Sequence, residues 1–146
     1  MHIDTRELHR QVESAIELAE RNTSAEIRVH LDEKCAEDPL DRASFIFEKL
    51  GMHKTAERNG VLIYVAFADR KLAVIGDVGI HIHLPSDTWD HIKNGMTEQF
   101  SKGNYEPGLC NAIAEIGEHL KQFFPRKHDD KNELSNSVST FNFTSP

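Results

Sequence analysis

Residues 61–68, VLIYVAFA, constrain this chain more than any other stretch. Odd and even positions are both apolar, so a strand here has no polar face to offer water. Such a strand belongs in the middle of a sheet covered on both sides. LAVIGD, residues 72–77, follows after a tight turn at Asp69-Arg70. It must pair antiparallel with the first strand, because a parallel return needs a long crossover.

The rest of the chain supplies the cover. Asp4 and Glu7 have capping-box spacing, and Ile3 with Leu8 can form a hydrophobic staple. Leu8, Val12, Ala15, Ile16 and Ala19 then recur at helical spacing, predicting a helix over about 5–21. SAEIRVHL alternates, with Ala25, Ile27, Val29 and Leu31 on one face and Glu26, Arg28 and His30 on the other, as in a half-covered strand. Asp38 before Pro39 and a closing Gly51 bracket a second helix carrying Leu40, Ala43, Phe47 and Leu50. VGIHIHL, residues 78–84, alternates again, but Gly79 and the following Pro85 weaken it as a core strand. A third helix starts at Ser86 or Asp87, and a fourth runs from Pro107 to just before Pro125. Trp89, Phe100, Phe123 and Phe124 read as core.

Helix, strand, helix, hairpin and two helices predict an α/β fold: a three-layer α/β/α sandwich with a small mixed sheet of three or four strands. The strands flanking the second helix should be parallel, joined by a right-handed crossover. The domain is expected over residues 1–125. Residues 126–146 are polar and unpatterned and are expected to form a mobile tail, with VSTFNF as a segment able to dock.

Composition narrows the class. With 146 residues the chain can bury one core without staples. A net charge of −7 argues against nucleic acid or an anionic membrane as the main partner. No window approaches a membrane span or a signal peptide. Cys35 and Cys110 form no metal-type pair and are expected as reduced thiols, which points to a cytoplasmic monomer.

AEIRV, LGMHKTAERNGVLIYVA, AVIGDVGI, DTWDHI, NYEPGL and FFP, in this order and spacing, resemble the TPM domain family. That family is named from a thylakoid lumen protein, a photosystem repair factor and a nematode receptor modulator. The similarity runs over about residues 4–125, and DDKNEL resembles the tail of short bacterial stand-alone members. The resemblance implies an α/β/α fold, divalent-cation binding in some members and phosphatase or nucleotide phosphohydrolase activity in a few.

Two ends of the sheet offer candidate sites. Glu26, Asn59 and Asp77 should converge where the first two strands start and the third ends, with Asp87 at the next helix start. Their carboxylate and amide oxygens suit calcium or magnesium, and Gly76 and Gly79 would permit close backbone approach. The bland reading is that Glu26 pairs with Arg28 or Arg58, Asn59-Gly60 is a turn and Asp87 is a cap. The opposite end offers Asp32, Glu33 and Asp69, with Asp38 and Asp41 nearby, beyond the carboxyl ends of the parallel strands. There the bland reading is turn chemistry and solvated charge. His81 and His83 would point the same way on a strand, but no third ligand completes a zinc set.

Two functions remain open at this stage. One, implied by the resemblance alone, is a divalent-metal-assisted phosphatase or nucleotide phosphohydrolase, with Arg58 or Arg70 binding the phosphate of a phosphorylated small molecule. The other is a non-catalytic cation-binding module acting with a protein partner in assembly or turnover.

Overall fold

A computed structural model describes residues 4–126 and Val138. Helix α1, Thr5–Glu20, opens with the Asp4 carboxylate accepting from the Glu7 N–H at 3.2 Å. Strand β1, Glu26–Asp32, follows. Helix α2, Pro39–Lys49, begins where Asp38 accepts from the Leu40 N–H at 2.8 Å, and Gly51 behind it takes a left-handed φ of 72°. A 3₁₀ turn at Met52–Lys54, which periodicity does not reveal, leads to β2, Gly60–Ala66, and then β3, Lys71–Gly76.

Strand order is β1-β2-β3, with β1 and β2 parallel and β2 and β3 antiparallel. The sheet is mixed and has three strands among the described residues. VGIHIHL adds no fourth. Asp77 receives the Val78 N–H at 2.8 Å and starts a short helix, α3, Val78–His81. A capped turn satisfies these backbone groups locally, which the apparent alternation could not reveal. His81 and His83 are therefore not neighbours on one strand face; His83 stacks on Phe123 at 4.8 Å. Helices α4, Ser86–Ser101, and α5, Tyr105–Phe123, complete the described fold. None of the described helices is long and apolar enough to cross a membrane.

Both faces of β2 are buried, as its composition requires. Val61, Ile63 and Val65 join Ile27, Val29 and Leu31 against α1, α4 and α5. Leu62, Tyr64 and Ala66 face the other way, toward Ala43, Ile46 and Phe47 of α2. This is the expected three-layer α/β/α sandwich. Ile63 is fully buried at its centre, where truncation to alanine costs about 2–5 kcal/mol. Trp89 and Phe124 are buried as expected, whereas Phe123 is 40% exposed at the end of α5.

β1 departs from the half-covered strand expected of it. Glu26, His30 and Asp32 are buried as completely as the apolar residues between them. The C-terminal segments 127–137 and 139–146, including most of the expected tail, lie outside the described residues. Val138 is half-buried against the main core, and its N–H reaches a Glu13 carboxylate oxygen at 3.4 Å.

Candidate functional site

The backbone brings three of the four first-end residues together. Glu26 opens β1 opposite Gly60, and its N–H donates to the Asn59 carbonyl at 3.4 Å. Asp77 follows β3, and its N–H donates to the Gly60 carbonyl at 2.9 Å. Asp87 sits exposed in the first turn of α4 and makes no hydrogen bond to the other three.

Side chains divide the trio. Arg58 donates from Nε to Asp77 Oδ2 at 2.7 Å and from Nη2 to Oδ1 at 2.8 Å. Such two-pronged charge-assisted bonding fixes orientation as well as charge. Asp77 is nearly buried, while the Arg58 side chain is 48% exposed, so the clamp opens outward. Arg58 also holds a left-handed φ of 51°, uncommon for a residue with a side chain. Gly79 makes this arrangement possible: a Cβ there would stand 2.6 Å from the Arg58 carbonyl oxygen and closer still to that of Glu57.

Asn59 reaches Ser24 Oγ and a Glu57 oxygen with Nδ2, each at 3.4 Å. Its Oδ1 is buried and has no hydrogen-bond partner. Glu26 is drawn instead toward Glu20, which the sequence reading did not single out. Glu20 accepts from the Ile27 N–H at 2.7 Å. Burial, with the Glu26 charge and hydrogen bond beside it, pushes the Glu20 carboxyl up to about 8, against the opposing effects of the Ile27 N–H and Arg126. A signal was present: Leu8, Val12, Ile16 and Glu20 recur every fourth residue, placing a carboxylate on the buried stripe of α1.

The oxygen chemistry of Asn59 and Asp77 fits a hard cation in kind, and the unpartnered Asn59 Oδ1 is an acceptor in need of a positive partner. Asp77 already holds one, so a cation there must displace the Arg58 guanidinium. Among the described residues no group of three or more His, Cys, Asp or Glu side chains is arranged to hold a metal ion.

The opposite end is organised around Asp32, which lies buried rather than in a solvated loop. Arg42 Nε donates to Oδ2 at 3.0 Å and the Tyr64 hydroxyl to the same oxygen at 2.8 Å. His30 Nε2 lies 3.0 Å from Oδ1. Burial alone would raise the Asp32 carboxyl, but the hydrogen bonds from His30, Arg42 and Tyr64 prevail and hold it well below the usual carboxylate range. An ionised Asp32 only accepts, so His30 donates to it. Burial, with the Cys35 and Asp32 bonds, pushes the Tyr64 phenol above its ordinary value.

The remaining groups at this end are dispersed. Asp69 accepts from the Cys35 N–H at 2.8 Å, and Asp38 caps α2. Glu33 and Asp41 are exposed. Arg70 turns the hairpin with a left-handed φ of 54°, and its guanidinium has no hydrogen-bond or ion-pair partner among the described residues. His30, Arg42 and Tyr64 were not predicted as partners of Asp32, although Tyr64 is the one hydroxyl in an otherwise apolar strand.

The chain is similar to the BA42 protein of the psychrophilic bacterium Bizionia argentinensis, at 42% identity. The two structures overlay with a TM-score of 0.87, covering 95% of this chain and 96% of that one. The N-terminal domain of the cg2496 protein from Corynebacterium glutamicum has the same fold at 12% identity, with a TM-score of 0.59 over 88% of this chain and 75% of that one. No curated protein sequence matches. The TPM domain family model matches residues 5–119, which together with the likeness to BA42 places this chain in the TPM domain family.

Proposed function

We propose that this TPM domain is a non-catalytic interaction module that responds to calcium or magnesium at the end of the sheet where β1 and β2 begin. The observation carrying this reading is the Arg58–Asp77 clamp beside the buried, unpartnered Asn59 Oδ1. A divalent cation supplies compact positive charge to oxygen ligands, and Asp77 and Asn59 are the residues that would hold it. Displacing Arg58 frees a guanidinium at the surface and releases the loop whose left-handed turn it anchors. A protein partner can distinguish the two states by that change.

Both thiols favour binding over turnover. Cys35 is buried, with its Sγ 3.2 Å from the Glu37 carbonyl oxygen. Burial, reinforced by the Glu106 charge, raises the Cys110 thiol above its ordinary value, away from the nucleophilic thiolate.

A metal-assisted phosphohydrolase is the second reading, and Arg58 favours it. Its guanidinium, freed once a cation takes Asp77, lies beside that cation and can receive a phosphate. A bound cation would supply charge for the phosphoryl oxygens and a more acidic water.

One experiment separates the readings. Phosphate release from a nucleotide panel is followed with and without divalent metal, with Asp77→Ala as control. Binding without turnover leaves release at background while calcium or magnesium still raises the melting temperature. Release that requires metal and vanishes in Asp77→Ala establishes the enzyme.

A further inference from the structure

The turn between β2 and β3 and the corner between α4 and α5 enclose a pocket of about 220 Å³. Its wall includes Phe67, Phe100 and Tyr105, with Leu72 and Thr97 beside them and Arg70 on the turn. Phe67 meets Tyr105 edge-on at 4.8 Å, and Phe100 lies tilted to Tyr105 at 5.2 Å. Phe100 is seated against α5 where Gly108 has no side chain; a Cβ there would stand 2.7 Å from the ring. The aromatic wall is thus built into the packing of the two helices.

Charge at this pocket has one sign to offer. Lys71 also lines it, but its Nζ is committed to the carbonyls of Cys35 at 2.9 Å and Glu37 at 3.2 Å. Arg70 has no such partner among the described residues, and its left-handed backbone holds the turn in a conformation glycine would adopt more readily. Glu106 stands in the first turn of α5, so Arg70 rather than the helix start carries the preference for an anion. An anion is favoured here even though the whole chain carries a net charge of −7.

Volume sets the size of the guest. A cavity of about 150 Å³ accepts benzene, whereas drug-sized ligands occupy roughly 300–1,000 Å³. The pocket has room for one ring with one polar substituent and is too small for a nucleotide. We propose that this pocket binds a small aromatic anion, a single ring bearing a carboxylate or phosphate, with the ring against Phe67, Phe100 and Tyr105 and the anion on Arg70. The assignment is independent of the cation reading at the opposite end.

The test uses the full chain without divalent metal, titrated with benzoate, phenyl phosphate and neutral benzyl alcohol by two-dimensional amide NMR. Both anions should shift the amides of Phe67, Leu72, Thr97 and Tyr105, and benzyl alcohol should bind at least tenfold more weakly. Arg70→Gly keeps the turn, removes the guanidinium and should weaken both anions at least tenfold without lowering the melting temperature. Thr97→Trp, at an exposed position, should fill the pocket and abolish the shifts. Tighter binding of phenyl phosphate identifies a phosphate ester as the guest, and tighter binding of benzoate a carboxylic acid. Shifts centred on Asn59 and Asp77, no shifts at millimolar probe, or affinity unchanged in Arg70→Gly would overturn the proposal.

Discussion

Arg58 and Asp77, nineteen residues apart in the chain, are joined by hydrogen bonds of 2.7 and 2.8 Å that close the loop before β2 onto the exit of β3. The acceptor is buried and the donor reaches it from solvent, so the two partners are unequal. Removing the arginine strands a buried charge, whereas removing the carboxylate leaves the arginine in water.

That inequality gives a two-variant prediction. Arg58→Gln should lower the melting temperature in metal-free buffer and enlarge the rise produced by millimolar calcium or magnesium. Asp77→Asn should abolish the rise. For a site that binds only the folded state, the stabilisation reaches about 2.7 kcal/mol at 100 times Kd. Calorimetry with each ion measures both effects. A rise that survives Asp77→Asn but disappears in Asp69→Asn would move the site to the other end of the sheet.

Gly79→Ala tests the close approach that seats the clamp. The added methyl meets backbone carbonyl oxygens of Glu57 and Arg58, which cannot rotate away as a side chain could. The variant should lose about 2–3 kcal/mol in urea unfolding, in the range for overpacking a closely fitted site.

Glu20 should make stability fall as pH rises. Its folded carboxyl is raised from an ordinary 4.5 to about 8, so the folded state holds a proton that the unfolded chain releases. The resulting stabilisation is complete below about pH 4.5 and is lost as pH climbs through 8. Glu20→Gln keeps an oxygen for the Ile27 N–H and cannot ionise. It should match the parent at pH 4.5 and be the more stable of the two at pH 9. Chemical denaturation across this range reads the difference directly.

Asp32 works in the opposite sense. Its folded carboxyl lies below the ordinary 3.8, so its contribution is present above that pH and is lost as pH falls through the lower folded value. Asp32→Ala leaves His30, Arg42 and Tyr64 without their shared acceptor. It should cost about 3–5 kcal/mol near neutrality, the range for breaking a buried ion pair by removing one partner. The loss relative to the parent should shrink in acid, as unfolding curves at successive pH values will show.

Legibility in the sequence followed the physics of periodicity. VLIYVAFA placed β2 in the centre because an apolar residue at every position leaves no alternative, and the short Asp69-Arg70 turn required antiparallel pairing. The capping residues Asp4 and Asp38 located the starts of α1 and α2. The convergence of Glu26, Asn59 and Asp77 followed from strand order alone. What their side chains do did not, because Arg58 and Glu20 compete for them through tertiary contacts with no sequence period. His30 alternates as a solvent-facing residue should, yet it is buried with Asp32 and Tyr64 beside it. VGIHIHL alternates as a strand should, yet the Asp77 cap winds it into a helical turn.

The bond from the Ile27 N–H to Glu20 has a further consequence at the margin of the sheet. Among the described residues β1 ends the sheet, with β2 beside it. A strand from another chain adding beside the start of β1 would need that outward N–H as a donor. The last residue of α1 already occupies it, and its buried carboxyl closes the place where such pairing would begin. The group that makes the domain sensitive to alkali also withholds the Ile27 donor of β1 from any added strand.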